Sequence, residues 1–541
     1  MPRRLLLAAL SGLLLVLAHA PFEQPWTLPL GIAGLAVLCH RRPPGRAALL
    51  GLAFGAAYMF SHLFWMRAVG PDAWLALAGV EALFFAPIGA VFALVSRLPA
   101  WPVWAAVSYV GIDHVRGGWP FSGMPWGRPS YATVDSPWEA ALPWVGHIGV
   151  SLLLVLVGTS LAWLALRWRS RGTTPGSGRG VPAWGAVAVV LGVVALGLVP
   201  NLFRWQPPEG APYTVAAVQG DVPGDGTDVL ADHRQVTANH VDATLGLARE
   251  VDRGDAPRPD LVVWPENSTA VDPFADVAIN AGIEEAVEAV GVPVLVGAMV
   301  DAERPDAVLN QGVVWRPGVG PGDRYTKWHP VPFGEYIPWR DTVFPSNFGR
   351  LEMIHRDMVA GTRQEPLQVG DALVSDAICF DVAYDDGIHA QVGAGAGLVV
   401  VQTSNAMFIN TSQIEQQFAI TRLRAIETGK YVVVASVNGV SGVIAPDGTV
   451  VARAGTREQE VLVEEIRTHD AVTPAVRMGA WPGDLAVALG VVGAASGALT
   501  YRRRNRPTGA PARSVAAPER AAEETDRGVG DRVPATPGTR E

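Results

Sequence analysis

The sequence predicts two kinds of fold in one chain, a bundle of membrane-spanning helices and an α/β domain outside the membrane. The 541 residues have a mean hydropathy of +0.22, only 17% charged side chains and 18 tryptophans, which is typical of membrane proteins. Long apolar segments fill the first part of the chain, and one more lies near its end. Between them, short β-branched segments alternate with helical ones.

Eight apolar segments are candidate transmembrane helices. They cover about residues 5–20, 26–39, 47–69, 73–95, 101–115, 143–166, 182–203 and 482–500. Several are shorter than the roughly 20 residues that cross a bilayer without tilt. The first segment ends at Ala18-His-Ala20, which also fits a cleaved signal peptide. We favour an uncleaved helix, because further apolar segments follow at once.

The arginine clusters orient these helices. The clusters lie before segment one and after segments two, four, six and eight: Arg3 and Arg4; Arg41, Arg42 and Arg46; Arg97; Arg167, Arg169, Arg171 and Arg179; Arg502, Arg503, Arg504 and Arg506. With eight helices, all of these clusters fall on one side of the membrane. The positive-inside rule then places both termini in the cytoplasm and residues 206–480 outside. Arg116 and Arg128 are exceptions in the long loop at 116–142.

The predicted domains follow from this count. Residues 1–205 form a membrane domain of seven helices, residues 206–480 an α/β domain, and residues 481–503 the eighth helix. Residues 504–541 are rich in Pro, Ala, Arg and Glu without an apolar period, which predicts a disordered cytoplasmic tail. Strands are expected at Tyr213–Gln219, Leu261–Trp264, Pro293–Met299, Gly312–Arg316, Ala372–Cys379, Leu398–Thr403, Tyr431–Val437 and Val440–Ala445, and helices at 229–252, 277–290 and 411–429.

Several classes of function lack support in the sequence. No basic stripe with interleaved aromatic residues points to nucleic acid. Cys39 and Cys379 are the two cysteines, and their distance in sequence gives neither a disulfide framework nor a CxxC pattern. No His, Asp or Cys cluster has the spacing of metal ligands, and the run at Gly393–Gly397 lacks the Lys-Ser/Thr of a phosphate loop. We expect neither a metal nor a cofactor.

Cys379 is a candidate nucleophile because it closes an apolar strand and is followed by Phe380-Asp381. A sharp turn after the strand would expose the thiol. If a helix begins there, its amides would lower the pKa of the thiol and favour the thiolate. Thiolate is the nucleophile that acyl transfer needs. The alternative is a buried structural cysteine, the usual state of a free cysteine.

Two further segments place ionisable groups at strand ends. Glu266 follows Trp264-Pro265, and the proline ends the strand so that the carboxylate is held at the sheet edge, where it can take a proton from a thiol. Lys327 is one of two lysines against 40 arginines, and its ammonium would stabilise an oxyanion. Glu335, eight residues on, would orient Lys327 or assist proton transfer. The alternatives are a surface carboxylate and a solvated loop lysine.

Together these features resemble the apolipoprotein N-acyltransferase family, a membrane-embedded branch of the nitrilase, or carbon–nitrogen hydrolase, superfamily. The most specific part is Lys327-Trp-His-Pro-Val-Pro-Phe-Gly-Glu-Tyr-Ile-Pro338, with seven apolar segments before it and one after. Gly123-Met-Pro-Trp126 and Ser404-Asn405 also match. The resemblance covers residues 1 to about 503. It implies a nitrilase-like αββα sandwich for residues 206–480, and supporting roles for Glu335, Phe380 and Asp381.

The resemblance also implies a reaction. Glu266 would deprotonate Cys379, the thiolate would attack the sn-1 ester of a membrane phospholipid, and Lys327 would stabilise the oxyanion. The α-amine of the N-terminal diacylglyceryl-cysteine of an apolipoprotein would then attack the thioester. The implied partners are therefore a phospholipid donor and an apolipoprotein acceptor at the bacterial cytoplasmic membrane. The enzyme is expected to be a monomer.

The sequence departs from the family pattern at two places. Phe380-Asp381 stands where Tyr-Glu is common, and Met407-Phe408 where Trp-Phe is common, which leaves the contacts of the acyl chain open. Two other functions stay open as well: a membrane-tethered amidase acting on a soluble substrate, and a transporter or scaffold without catalysis. Glu81, Asp113 and His62 within apolar segments would suit transport.

The aromatic segment Trp339–Phe348, which follows the lysine motif, has two interpretations. It forms an arm that lies on the membrane beside the site, or it packs in the core of the α/β domain. If the segment is an arm, replacing Phe344 with Ser should slow turnover of lipid but not of a soluble thioester.

Overall fold

The structure is a computed structural model of the chain and describes residues 1–170, 183–227, 232–344 and 349–505. Three predicted features lie outside the described residues. They are the loop at 171–180, which contains Arg171 and Arg179 of the arginine cluster after segment six, the tail beyond residue 505, and the end of the aromatic segment at 345–348.

The first two hundred residues are helical. The helices are α1 Pro2–Ala18, α2 Thr27–Cys39, α3 Pro44–His62, α4 Pro71–Leu83, α5 Phe85–Val95, α6 Trp101–Arg116, α7 Leu142–Ser170 and α8 Ala183–Leu198. A proline in the first turn begins several of them, because proline has its φ preset and its missing N–H has no helical partner there. Each predicted apolar segment in this region contains a helix.

By length and apolar composition, three helical stretches are able to cross a membrane within the part of the chain that the structure describes. They are Pro71–Val95, Glu139–Arg169 and Trp481–Arg504. Thr27–Cys39 and Val187–Leu202 are shorter apolar helices. The predicted total of eight crossing helices therefore stays a prediction.

Glycines let these helices pack with their backbones in contact. A Cβ atom on Gly12 of α1 would lie 2.2 Å from the carbonyl oxygen of Phe54 on α3, and one on Gly51 would lie 2.0 Å from that of Phe85 on α5. Without a hydrophobic force between helices in lipid, such close packing is a main source of association. The α1 helix is therefore an integral part of the bundle.

Two sheets form the second part of the molecule. The strands are β1 Ala211–Gln219, β2 Leu261–Val263, β3 Val294–Asp301, β4 Ala307–Arg316, β5 Gly320–Thr326, β6 Asp357–Met358, β7 Leu367–Val369, β8 Ala372–Ile378, β9 Leu398–Thr403, β10 Val432–Ser436, β11 Gly442–Ile444, β12 Val450–Arg453 and β13 Glu460–Thr468. One sheet has the order β13-β1-β2-β3-β4-β5, with β6 paired to β4. The other has the order β12-β11-β10-β9-β8-β7.

Every predicted strand is present, and the centre of each sheet is parallel, as strand–helix alternation requires. Five strands were not predicted: β5, β6, β7, β12 and β13. The longest of them, β13, pairs with β1 along nine residues, although charged side chains interrupt its apolar pattern. It lies at the sheet edge, where such residues face solvent.

The two sheets face each other across an apolar layer that includes Val263, Leu295, Val374 and Val400. The remaining helices are α9 His233–Arg253, α10 Val277–Val290, α11 Asp386–Gly393, α12 Ser412–Thr428, α13 Pro474–Met478 and α14 Trp481–Arg504. Helices α9 and α10 cover the outer face of the first sheet, and α11 and α12 cover the second. This is the αββα sandwich expected from the resemblance. The α11–α12 layer also packs on the helical domain.

Candidate active site

Cys379 follows the last residue of β8 and has a left-handed backbone conformation, with φ of 54°. This conformation costs about 1–2 kcal/mol in a residue other than glycine, so the surrounding structure must impose it. A short 3₁₀ turn, Cys379–Ala383, begins at the cysteine. The sharp turn expected from the sequence is therefore present and places the thiol at the carboxyl end of a central parallel strand.

Glu266 lies two residues beyond Trp264, and its carboxylate is buried. Oε1 accepts hydrogen bonds from Asn310 Nδ2 at 2.7 Å and from Lys327 Nζ at 3.1 Å. Oε2 accepts one from the backbone N–H of Ser404 at 2.8 Å. Donors from three separate elements therefore hold the carboxylate in one orientation.

Lys327 follows β5, and its side chain is fully buried between two carboxylates. Nζ lies 2.6 Å from Glu335 Oε1 and 3.1 Å from Glu266 Oε1. Glu335 is itself held by the backbone N–H of Val331, 2.8 Å from Oε2. Burial alone would lower the pKa of Lys327, but the charges of Glu266 and Glu335 outweigh it and raise that pKa well above its ordinary value. The lysine is therefore an ammonium at neutral pH.

The thiol of Cys379 responds to the same charges. Burial and the negative charge of Glu266 raise its pKa to about 12, while the charge of Lys327 opposes them. The expectation that helix amides would lower this pKa is therefore wrong, because the turn is one short 3₁₀ segment and burial dominates. The resting group is a neutral thiol, and forming a thiolate requires a base. The structure thus brings Glu266, Lys327, Glu335 and Cys379 into one electrostatic cluster.

Asp381 connects the turn at the cysteine to the loop that carries Lys327. Its Oδ1 accepts from the backbone N–H of His329 at 2.8 Å. Its Oδ2 accepts from the Tyr325 hydroxyl at 2.9 Å, and from the backbone N–H groups of Trp328 and Ile378, both at 3.2 Å. The aspartate therefore reaches the lysine loop despite its short side chain.

Phe380 and its surroundings form an aromatic wall next to the cysteine. Its ring is stacked on Trp126 of the helical domain, with centroids 6.0 Å apart, and it meets Tyr384 edge-on at 5.3 Å. The Tyr131 hydroxyl donates to the carbonyl of Ala383 at 2.6 Å. The helical domain therefore directly contacts the turn that bears the thiol.

A glutamine on α12 ties the two domains together beside this wall. Gln416 Oε1 accepts from the indole nitrogens of Trp65 at 3.0 Å and Trp126 at 2.7 Å. Its amide nitrogen donates to the carbonyls of Ala20 at 3.2 Å and His62 at 3.4 Å. Four residues of the helical domain thus contact one buried side chain of the sandwich.

The aromatic segment after the lysine loop lies at the surface. Trp339 is 61% exposed and contacts Phe121 of the helical domain edge-on at 4.8 Å. Phe344 packs on Phe333 at 5.0 Å, and Val343 beside it is 60% exposed. The exposure of Trp339 contradicts core packing for that residue, while Phe344 is half-buried.

Sequence reasoning missed Asn310, the amide that orients Glu266. It noted Gln416-Gln417 as part of the family resemblance but assigned no role to Gln417, whose Nε2 lies 3.0 Å from Thr403 Oγ1 and 3.4 Å from the carbonyl oxygen of Cys379. A signal for Asn310 was present, because Asn310-Gln311 interrupts an otherwise apolar strand. In the described residues, no group of three or more His, Cys, Asp or Glu side chains has a metal-binding arrangement.

Two family models match the chain. Residues 11–160 match the N-terminal domain of apolipoprotein N-acyltransferase, and residues 214–473 match carbon–nitrogen hydrolase. Among solved structures, an amidase of the nitrilase superfamily from Nesterenkonia sp. AN1 aligns with 50% of this chain and 95% of its own, at 18% identity and a TM-score of 0.37. The two family models define the class of the protein as a carbon–nitrogen hydrolase domain joined to an apolar helical domain.

The curated relatives identify the family. The apolipoprotein N-acyltransferase of Mycolicibacterium smegmatis is 35% identical over 483 residues, which is 87% of this chain and 81% of the relative. Those of Methylococcus capsulatus and Azotobacter vinelandii are each 30% identical, over 93% and 94% of this chain and 97% of either relative. This chain belongs to the apolipoprotein N-acyltransferase family.

Proposed function

We propose that this chain is an acyltransferase that moves an acyl chain from a membrane phospholipid to the N-terminal amine of a diacylglyceryl-apolipoprotein. The buried Glu266–Lys327 pair beside Cys379 carries the proposal, because it supplies a fixed base and a fixed cation to a protonated thiol. The contact of Phe380 with Trp126 supports a lipid substrate, since the thiol lies next to the apolar helical domain.

In the first half-reaction, Glu266 takes the thiol proton as Cys379 sulfur attacks the sn-1 ester carbon. The Lys327 ammonium stabilises the negative charge that develops on the carbonyl oxygen. Glu266 then gives the proton to the departing glycerol oxygen, so that a lysophospholipid leaves and a thioester remains. A pKa of about 12 for the thiol makes the base necessary at neutral pH.

In the second half-reaction, the neutral α-amine of the acceptor attacks the thioester carbon. Glu266 accepts a proton from the amine and returns it to the sulfur as the carbon–sulfur bond breaks and the amide forms. Glu335 keeps Lys327 in place through both steps, because its carboxylate is 2.6 Å from the ammonium. The net reaction needs no cofactor.

The proposed domain organisation follows the sequence prediction. Residues 1–205 and 481–503 supply seven and one membrane-spanning helices, residues 206–480 the catalytic domain, and residues 504–541 a cytoplasmic tail. The sandwich, whose strands lie between Ala211 and Thr468, is placed on the outer side of the cytoplasmic membrane. The arginine pattern supports this placement. Arg116 and Arg128 do not follow the pattern in the sequence. Both are buried and paired in the structure, so they are not free loop charges.

Membrane sidedness is tested with single cysteines in a Cys39→Ser/Cys379→Ser background. Val277→Cys replaces an 84% exposed residue of α10, and Arg503→Cys lies near the end of α14. An impermeant maleimide on intact cells with a permeable outer barrier should label the first and not the second. Labelling of the arginine position alone would place the sandwich in the cytoplasm and overturn the topology.

The activity is tested by intact-mass analysis of the purified enzyme after incubation with phosphatidylethanolamine vesicles. The wild type should gain one acyl mass that hydroxylamine removes, and Cys379→Ala should not. Adding a synthetic diacylglyceryl-cysteine peptide should clear the adduct and acylate the peptide. Hydrolysis of small amides without any adduct from lipid would favour the tethered amidase, and no reaction of either kind would favour the transporter or scaffold.

A further inference from the structure

Asp376 lies on β8, three residues before the thiol, and its side chain is fully buried. Neither of its carboxyl oxygens has a hydrogen-bond partner among the described residues. The backbone around it is fixed, because its N–H donates to Gln391 Oε1 at 2.9 Å and its carbonyl accepts from Gln391 Nε2 at 2.8 Å. A buried carboxyl group without a partner is costly, so its state needs a physical account.

Gln402 on β9 is the polar neighbour of this carboxyl group in the layer between the sheets. Its amide nitrogen donates to the carbonyl oxygens of Trp264 at 2.6 Å and Leu295 at 3.4 Å. Carbonyl oxygens only accept hydrogen bonds, so the amide can have only this orientation. Gln402 Oε1 is therefore directed away from them, and it too has no partner among the described residues.

Gly312 on the opposite sheet shows where the two unpartnered oxygens are directed. A Cβ atom at this glycine would lie 2.0 Å from Asp376 Oδ2 and 2.6 Å from Gln402 Oε1. Both oxygens therefore approach the same point on β4, and only glycine leaves room for them. Two buried acceptor oxygens directed at one point repel each other unless one of them carries a proton.

We propose that Asp376 is a neutral carboxylic acid whose O–H donates to Gln402 Oε1, and that this pair is a positioning element for the catalytic site. Its catalytic consequence rests on the proposed acyl-transfer function. Through Gln402, strand β8, which ends one residue before Cys379, is connected to the Trp264 carbonyl, two residues before Glu266. The pair therefore joins the nucleophile strand to the base strand across the two sheets.

The charged and titratable groups around Asp376 favour the neutral form. Asp381, on the turn after β8, adds negative charge. The hydroxyl of Tyr325 on β5 donates its hydrogen bond to Asp381 and not to Asp376. No basic side chain of the described residues forms an ion pair with Asp376. Burial and the charge of Asp381 raise the pKa of Asp376 well above its usual range.

Two substitutions separate a neutral acid from an ionised one. In Asp376→Asn, the amide N–H replaces the acid O–H as donor to Gln402, so the rate of acyl-adduct formation should stay within about twofold of wild type. In Asp376→Leu, the donor is lost and the rate should fall about tenfold for the folded fraction, with little change in the lipid concentration at half-maximal rate. Equal losses in both variants would show that an ionised carboxylate is needed. A fully active leucine variant would remove the positioning role.

A second measurement does not depend on acyl transfer. Alkylation of Cys379 by iodoacetamide, followed by peptide mapping over a range of pH, reports the pKa of its thiol. A neutral Asp376 predicts the same midpoint in wild type and Asp376→Asn. A lower midpoint in Asp376→Asn would reveal that a negative charge was removed and would overturn the proposal. If wild type forms no lipid adduct but the midpoints coincide, the acyl-transfer function fails while the neutral acid stands.

Discussion

The helical domain and the sandwich each bury one basic side chain between two carboxylates. In the helical domain, Arg116 lies 2.7 Å from Glu81 and 2.8 Å from Asp113, and it also donates to the carbonyl of Met124 at 2.8 Å. In the sandwich, Lys327 lies between Glu266 and Glu335. The two clusters share a charge pattern, but the N–H groups of Arg116 and those of Lys327 have different roles.

The arginine cluster is closed. The guanidinium contacts both carboxylates and a carbonyl, and Asp113 Oδ1 receives two of its N–H groups. This closed set explains why Glu81 and Asp113, which suited a transporter in sequence, stay inside an apolar domain. His62, the third residue that suited a transporter in sequence, is not part of the arginine cluster and packs on His19 and Tyr58.

The lysine cluster differs because a reactive group adjoins it. The protonated thiol of Cys379, on a strained turn, interacts with the charges of Lys327 and Glu266. An ammonium has three donors and a compact charge, so Lys327 can hold two carboxylates and still present charge to a substrate oxygen. A buried charge triad therefore marks a candidate catalytic site only when a reactive group adjoins it. The predictions below test this difference, from the largest effect to the smallest.

Glu266→Gln should separate thiol acidity from catalysis. The rate of acyl-adduct formation should fall about a thousandfold, since the general base is lost. Because the charge of Glu266 raises the pKa of Cys379, its removal should lower that pKa, so that iodoacetamide alkylation at neutral pH becomes faster. Both rates are measured on one preparation. A parallel fall in both would show that the variant is misfolded or that Glu266 is not the base.

Lys327→Arg keeps the charge but should lower the acyl-adduct rate by about a hundredfold or more. The planar guanidinium is larger and would displace the two carboxylates that hold the ammonium. The matched variant is Arg116→Lys, in which one ammonium nitrogen replaces the two guanidinium nitrogens that donate to Asp113. It should lose about 1–3 kcal/mol of stability, seen as a lower melting temperature in detergent, and keep the adduct rate of its folded fraction. Similar activity losses in both variants would contradict the assignment of a catalytic role to the lysine cluster and a structural role to the arginine cluster.

Asp381→Asn should slow adduct formation about tenfold. Oδ2 accepts three hydrogen bonds, and an amide nitrogen in either position meets N–H or O–H donors, so the lysine loop and the cysteine turn lose a shared anchor. Asp135→Asn is the control, because that exposed carboxylate pairs with Arg422, away from the lysine loop. An unchanged rate in Asp381→Asn would show that Asp381 does not position the catalytic site.

Phe344→Ser should have the smallest effect, about threefold, and only with lipid. Phe344 is half-buried against Phe333 and Trp339 in a segment that is otherwise largely exposed, so loss of its ring should weaken contact with the membrane while a water-soluble thioester donor is used as before. Val319→Ser, at a 68% exposed position between β4 and β5, controls for general surface polarity. Equal loss on both donors would contradict the interpretation as an arm.

Much of the fold and the three central site residues could be predicted from the sequence, because their signals are local. Apolar length predicts helices, alternation predicts strands, Glu266 and Cys379 each follow an apolar strand, and Lys327 begins a motif rich in proline and aromatic residues. Strands such as β5, β7 and β13 were missed, because edge strands carry charged or short patterns that pairing, rather than composition, stabilises.

The tertiary structure alone decided the chemical state of the site. The thiol has a raised pKa because burial and the Glu266 carboxylate act on it from a different strand, which no local pattern around Cys379 could reveal. Likewise, Asn310 orients Glu266, and Gly312 brings Asp376 and Gln402 together, only when the two sheets face each other. Sequence patterns thus locate reactive groups, while long-range electrostatics and backbone contacts set their protonation and orientation.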